Sequence, residues 1–202
     1  MKHPIKLLFT SMLTAGLLFS SPASSENPLE RSSYRYLNQK CEFSYQLPEA
    51  PRSETIWGET PLPITILTNP GYGEVAEHII YKTASFDGKD FFSYETYCIF
   101  ADKRVLEDID TRLLEVELEN QRKTLQVKNH VIQSQDLPKG LKVGSLSGYV
   151  VNQKTQNVTS YHLKIMRGLK SIMLVKVSYN SEYIENEDLF KAIDESFIFE
   201  GR

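Results

Sequence analysis

The chain has 202 residues, of which 41% are hydrophobic and 24% are charged. This composition excludes an intrinsically disordered protein, a collagen-like repeat and a multi-span membrane protein. The net charge is −3 and there is no block of Lys or Arg. Because phosphate contacts require clustered cations, nucleic acid is not an expected partner.

Residues 1–25 are predicted to be a secretory signal peptide. Lys2 and Lys6 precede one short apolar stretch, and small residues follow it. The apolar stretch is too short to cross a bilayer comfortably. Cleavage is predicted after Ser25, with cleavage after Ala23 as the alternative. We therefore expect a bacterial protein of the periplasm or the exterior, with no transmembrane segment after the leader is removed.

The mature chain is predicted to be a single domain, residues 39–202, preceded by a flexible lead-in. Residues 26–38 are polar and lack a hydrophobic period, which is typical of such a lead-in. Alternating apolar and polar residues then predict a strand from Cys41 to Leu47, which Pro48 ends.

A proline-rich connection and a β-hairpin are predicted next. Residues 48–75 suit a rigid connection, with one short strand at residues 64–67. Strand patterns at residues 78–83 and 91–100 flank an Asp-Gly pair at 87–88, which favours a type I′ turn.

The second half of the chain changes from strand to helix and back. At residues 108–128, apolar residues recur three and four apart, and Asp108 or Asp110 can cap the start of this helix. A short helix is predicted to begin near Asn186. The further strand patterns are 141–152, 158–166, 171–179 and 196–200. Hairpins with helices set between them indicate an α+β fold, an antiparallel β-sheet flanked by helices.

The order of these elements resembles the PsbP/Mog1 family, including bacterial envelope proteins of the DcrB type. The resemblance rests on an aromatic strand running into Pro48, a long mid-chain helix, a strand meander and a short helix ending in Ser196 and Phe197. It spans residues 38–200. The resemblance implies an α/β/α sandwich and an accessory or binding role, and it transfers no site residue.

Cys41 and Cys98 are the candidate disulfide pair. Both lie on the apolar faces of their predicted strands, and export would place them in an oxidising compartment. Two separate buried thiols are the alternative, because the sequence does not show whether the two Cα atoms come within bridging range. A redox-active role is not expected, since there is no Cys-x-x-Cys motif.

No catalytic set, metal site or cofactor is predicted. His78, His130 and His162 each lack a second ligand at metal-binding spacing, and none lies in an organised cluster of the sequence. Residues 144–148 resemble a nucleophile elbow, but Leu146 occupies the position of the serine.

These observations favour an exported, non-enzymatic accessory or binding protein of the bacterial cell envelope. Its partner would be another envelope protein or a small ligand. One alternative is a carrier of a lipid or metabolite, with its pocket between the long helix and the sheet. A second alternative is a hydrolase with a dispersed site, which requires a Ser or an acidic residue to meet one of the histidines.

Overall fold

A computed structural model describes Leu29 and residues 33–54, 74–85, 89–153 and 155–199. These residues form antiparallel sheets flanked by a few helices, which confirms the predicted α+β class. The predictions that lie outside the described residues are the leader, the strand at 64–67 and the Asp-Gly turn at 87–88.

Among the described residues, helices interrupt the run of strands at two places. In chain order the strands are β1 Tyr34–Asn38, β2 Phe43–Leu47, β3 Arg52–Glu54, β4 Glu74–Ala84, β5 Phe91–Phe100, β6 Lys128–Asp136, β7 Lys142–Val151, β8 Val158–Arg167, β9 Ser171–Asn180 and β10 Ile198–Phe199. The helices are α1 Lys103–Asp108, α2 Thr111–Leu125 and α3 Ile184–Glu195.

The strands form one large and one small sheet. The large sheet has the order β3-β4-β5-β9-β8-β7-β6, and the small sheet has the order β1-β2-β10. All pairs are antiparallel. Side chains alternate between the two faces of each strand, so the large sheet has two apolar faces to cover.

Two hydrophobic clusters cover the two faces of the large sheet. On one face, Leu106 and Ile109 around the end of α1 and Leu114 and Leu118 of α2 pack on the sheet. On the other face, the aromatic small sheet and α3 pack together. The observed architecture is a layered sandwich in which the second covering layer contains strands as well as a helix.

The predicted helix at residues 108–128 corresponds to α2 Thr111–Leu125, and the short helix α1 Lys103–Asp108 before it was not predicted. Ile109 has an extended backbone after α1, and the Asp110 side chain then caps α2 by accepting a 2.7 Å hydrogen bond from Leu113 N. Gln126 is left-handed, with φ of 55°, and its N–H satisfies the last carbonyls of α2. The apolar period continues across the break, which is why it predicted one helix.

Three strands, β1, β3 and β6, occur where the sequence predicted none. Residues 34–38 belong to the small sheet, so the lead-in prediction is corrected there. The Tyr36 ring packs 5.2 Å from the Tyr45 ring. Strand β6 follows α2, and most of its polar side chains are exposed. Because β6 is an edge strand with little to bury, it lacks a clear alternating pattern.

Cys41 and Cys98 form a disulfide between the small and large sheets, with their Cα atoms 5.9 Å apart. The preceding turn is organised by Asn38, whose Oδ1 accepts hydrogen bonds from Lys40 N at 3.0 Å and Cys41 N at 2.8 Å. Both cysteines are buried. The covalent link thus holds the aromatic layer against β5.

Candidate functional site

A cluster of polar and charged side chains crosses three adjacent strands of the large sheet. Directly opposed residues in antiparallel strands point to the same face. Such pairs are His78 with Tyr97, Lys82 with Ser93, and Glu95 with Lys176. This group, which we term the Glu95 cluster, consists of His78, Lys82, Ser93, Glu95, Tyr97 and Lys176.

Glu95 is the centre of the cluster. The Tyr97 hydroxyl donates a hydrogen bond to Glu95 Oε2 at 2.8 Å, and the Ser93 hydroxyl donates one to Oε1 at 3.1 Å. Two ammonium groups lie somewhat further away: Lys176 Nζ is 3.6 Å from Oε2 and Lys82 Nζ is 3.8 Å from Oε1. The carboxylate therefore has a hydroxyl donor on each oxygen and a lysine on each side.

The surroundings of Glu95 keep it ionised. Burial raises its pKa, but His78, Lys176, Tyr97 and Lys82 outweigh that effect, and the pKa of Glu95 is lowered to about 2. Opposite charges and hydrogen bonds to the carboxylate both favour the charged form. Glu95 is therefore a fixed negative charge at any physiological pH.

His78 has no hydrogen-bond partner although it is buried. Its side chain is 5% exposed, and its ring stacks on Tyr97 with the ring centroids 4.0 Å apart. Nε2 approaches Glu95 Oε2 at 3.7 Å, a contact longer than an ordinary hydrogen bond, and neither ring nitrogen has a closer polar partner. Buried polar groups are nearly always hydrogen-bonded, so this imidazole has capacity for a further polar contact.

The Glu95 cluster does not have the geometry of a nucleophilic triad. In a triad, a histidine lies between the serine and the acid and takes the serine proton. Here Ser93 donates directly to Glu95. A carboxylate with a pKa of about 2 is also a weak base near neutral pH. The cluster is better suited to hold charge in a fixed place than to move a proton.

Spacing along the chain did not group His78 with an acidic residue, whereas the structure places its Nε2 3.7 Å from Glu95 Oε2. The structure brings Glu95 to His78, as the hydrolase alternative required, although without an activated serine. The two residues are separated along the chain and meet through the β4–β5 register. The alternating pattern placed both strands, but only knowledge of the register could have paired the residues.

The other two histidines lie elsewhere. His162 is half-buried, with its ring 4.2 Å from the Phe190 ring of α3 and Nε2 3.4 Å from the Tyr179 hydroxyl. Burial lowers the pKa of His162, which favours the neutral imidazole. His130 is exposed on β6. Neither residue belongs to the Glu95 cluster.

Within the described ranges, no three His, Cys, Asp or Glu side chains come together as a metal site. In the same part of the chain, none of the helices has the length and apolar character needed to cross a membrane.

The interface between α2 and the sheet is closely packed where a carrier pocket was expected. A Cβ added to Gly144 of β7 would lie 2.9 Å from Leu118 Cδ1 and 3.0 Å from Leu114 Cβ. A Cβ added to Gly148 would lie 2.6 Å from Val127 Cγ1. The small residues of β7 thus admit the helix and its following turn. At these two positions the helix and the sheet leave no room for the ligand of the carrier alternative.

A shallow groove of about 300 Å³ lies on the opposite face of β6 and β7. Its lining is Gln133, Ser134, Gln135, Val143 and Ser145. The lining of this groove has no charged side chain. The Glu95 cluster, which does contain charged side chains, is therefore the stronger candidate for the recognition of a charged ligand.

No protein-family model and no curated protein matches the chain. Solved structures share part of its backbone arrangement. PA94 from Pseudomonas aeruginosa, a protein of unknown function, is 12% identical with a TM-score of 0.44, and the match covers 82% of this chain and 96% of that one. LpqN of Mycobacterium tuberculosis, involved in cell envelope biogenesis, is 13% identical with a TM-score of 0.41. That match covers 82% of this chain and 88% of LpqN. Similarity at this level does not extend to function, and membership of the PsbP/Mog1 family stays a prediction.

Proposed function

We propose that this protein is an exported binding protein of the bacterial cell envelope that recognises a ligand without transforming it. The observation that carries the proposal is the Glu95 cluster. It combines a permanently ionised carboxylate with basic side chains that are not hydrogen-bonded to it. Fixed charges with unused donors are a feature of sites that bind polar ligands.

Two features support export. The first 25 residues have the cationic start, apolar centre and small residues of a signal peptide. The Cys41–Cys98 disulfide is buried between two layers of the fold, and such structural disulfides persist in oxidising compartments. The periplasm or the exterior of the cell is therefore the proposed location.

Export is tested by expressing the full chain in a Gram-negative bacterium and releasing the periplasm by osmotic shock. Intact mass spectrometry of the released protein is expected to show the mass of the chain from Glu26, less two hydrogens for the disulfide. Alkylation should label no thiol before reduction and two after it. Unprocessed protein that remains in the cytosol with both thiols free would contradict the proposal.

The absence of catalysis is tested by assaying the mature protein on chromogenic esters, phosphate esters and glycosides. We expect no turnover above buffer. The test variant is His78→Ala, and the control variant is His130→Ala, because His130 is an exposed histidine outside the cluster. If the wild type shows turnover, and this turnover is lost in His78→Ala but kept in His130→Ala, the result would instead support the hydrolase alternative.

A further inference from the structure

We propose that the Glu95 cluster binds the anionic group of its ligand, a carboxylate or a phosphate, between Lys82, Lys176 and His78. This inference rests on the proposed function and specifies the ligand chemistry of the same site. It follows from the charge, the unused donors and the position of these three side chains.

The charge of the cluster is unbalanced. Two lysines share a single carboxylate, and no other acidic side chain in the described parts of the chain lies within ion-pair distance of Lys82 or Lys176. Glu95 is ionised, so the cluster has a formal charge of +1 before His78 is counted. An added anion would balance this charge, whereas an added cation would not.

The donors of the cluster are also incompletely used. The oxygens of Glu95 already accept from the hydroxyls of Ser93 and Tyr97. The three basic side chains lie 3.6–3.8 Å from the carboxylate, which is too far for hydrogen bonds. Ammonium groups carry three donors each and bind carboxylate and phosphate oxygens strongly. Glu95 holds the bases in place and leaves their donors available.

The exposure of the side chains indicates how an anion would enter. Lys82 is 56% exposed and Lys176 is 32% exposed, while His78 at 5% is buried. The two lysines come from β4 and β9, on opposite sides of Glu95 on β5. The lysines are thus the accessible part of the cluster, which an anion would meet first, and the unpartnered imidazole is its buried part.

The test is isothermal titration of the mature protein with inorganic phosphate and with succinate at low ionic strength. We expect saturable binding that weakens as NaCl is added, because salt screens exposed charges. Lys176→Met is expected to weaken binding at least about tenfold, the effect of losing one charge-assisted hydrogen bond. Lys82→Met should weaken binding in the same direction. Lys170→Met, which removes an exposed lysine on the β8–β9 turn, should change binding less than about twofold.

A second arm distinguishes a free anion from a lipid headgroup. Sedimentation with vesicles of phosphatidylcholine alone is compared with vesicles that also contain phosphatidylglycerol. If wild type binds the anionic vesicles, Lys176→Met weakens that binding and Lys170→Met retains it, the proposal is supported with a lipid headgroup as the source of the anion. Binding of free phosphate or succinate with the same pattern supports it with a soluble ligand.

Two results would overturn the anion assignment. One is the absence of binding to phosphate, succinate and the anionic vesicles by the folded wild type. The other is equal binding by wild type, Lys82→Met and Lys176→Met. Either result leaves the exported binding function intact if the protein is still processed and released from the periplasm, so the two proposals fail separately.

Discussion

Lys176 and Glu95 lie directly opposite each other on β9 and β5, with Nζ 3.6 Å from Oε2. This cross-strand pair is formed on a mostly buried part of the sheet, where a carboxylate needs compensation for the water that it has lost. The hydroxyls of Ser93 and Tyr97 donate hydrogen bonds to the same carboxylate and add to this compensation. The pair has consequences both for stability and for the proposed site.

The stability contributed by Glu95 should depend on pH. Its pKa in the folded protein is lowered from 4.5 to about 2. A carboxyl group with a depressed folded pKa stabilises the fold above its unfolded pKa, and the contribution is lost as pH falls through the folded value. We expect Glu95→Gln to destabilise the protein near neutral pH and the difference from wild type to shrink between about pH 4.5 and about pH 2.

Urea unfolding across this range measures the effect, with Glu107→Gln as the control. Glu107 pairs with Lys103 on the exposed face of α1, and such surface pairs contribute little. A difference between wild type and Glu95→Gln that does not vary with pH would contradict the assignment of the low pKa to Glu95.

Loss of the disulfide should destabilise the fold. Cys41 and Cys98 are 57 residues apart in the chain, and closing a loop of that length stabilises by about 4 kcal/mol in the chain-entropy estimate. We expect the double variant Cys41→Ala, Cys98→Ala to unfold at lower urea concentration. A reductant should shift wild type in the same direction and leave the double variant unchanged. Identical unfolding of wild type with and without reductant would rule out this role.

Asp110, and not Asp108, should be the cap of α2. The Asp110 carboxylate accepts a hydrogen bond from Leu113 N, whereas Asp108 is the last residue of α1 and is exposed. Replacing a capping aspartate by alanine costs about 1 kcal/mol. We expect Asp110→Ala to lower the free energy of unfolding by about that amount and Asp108→Ala to change it by less than about 0.5 kcal/mol. Equal effects of the two variants would contradict this assignment.

Arg167 should be a major contributor to stability through backbone contacts. It is buried, and its Nε donates to Leu106 O at 2.6 Å while its Nη1 donates to Gly140 O at 2.7 Å. It therefore joins β8 to α1 and to the β6–β7 connection. We expect Arg167→Met to reduce the free energy of unfolding by about 2–4 kcal/mol, because both carbonyls lose a charged donor.

The control for Arg167 is Arg112→Met, at an exposed position on α2. Chemical unfolding should show a change of less than about 0.5 kcal/mol for this variant. If Arg167→Met is equally mild, the two carbonyl contacts do not contribute as the geometry indicates.

The sequence predicted elements well where burial imposes a period. Strand β5 was predicted with its observed bounds, because nearly every residue from Phe91 to Phe100 is buried and strand-forming. The helix predicted at residues 108–128 is present as α2, but α1 was not recognised as a separate helix, because Leu106 and Ile109 are both buried and continue the apolar period across the break. Only the backbone at Ile109 and the cap at Asp110 separate the two helices.

The candidate site was predictable only in part. Cys41 and Cys98 were identified as a candidate pair from their positions on apolar strand faces. The Glu95 cluster was missed because it depends on the register of three strands, which brings His78, Lys82 and Lys176 to one carboxylate. Composition and spacing along the chain do not specify that register. Lysines and a glutamate on separate strands look like ordinary surface residues until the strands are paired.

The most direct test of the central claim is the pKa of Glu95 itself. Nuclear magnetic resonance can follow the titration of Glu95 in the mature protein when the glutamate carboxyl carbons are isotope-labelled. The Glu95 signal is assigned by comparison with the Glu95→Gln variant. A site built on a fixed charge predicts a pKa far below the ordinary value, at about 2. Titration of Glu95 near neutral pH, as expected of a general acid or base, would contradict the account and point to catalysis.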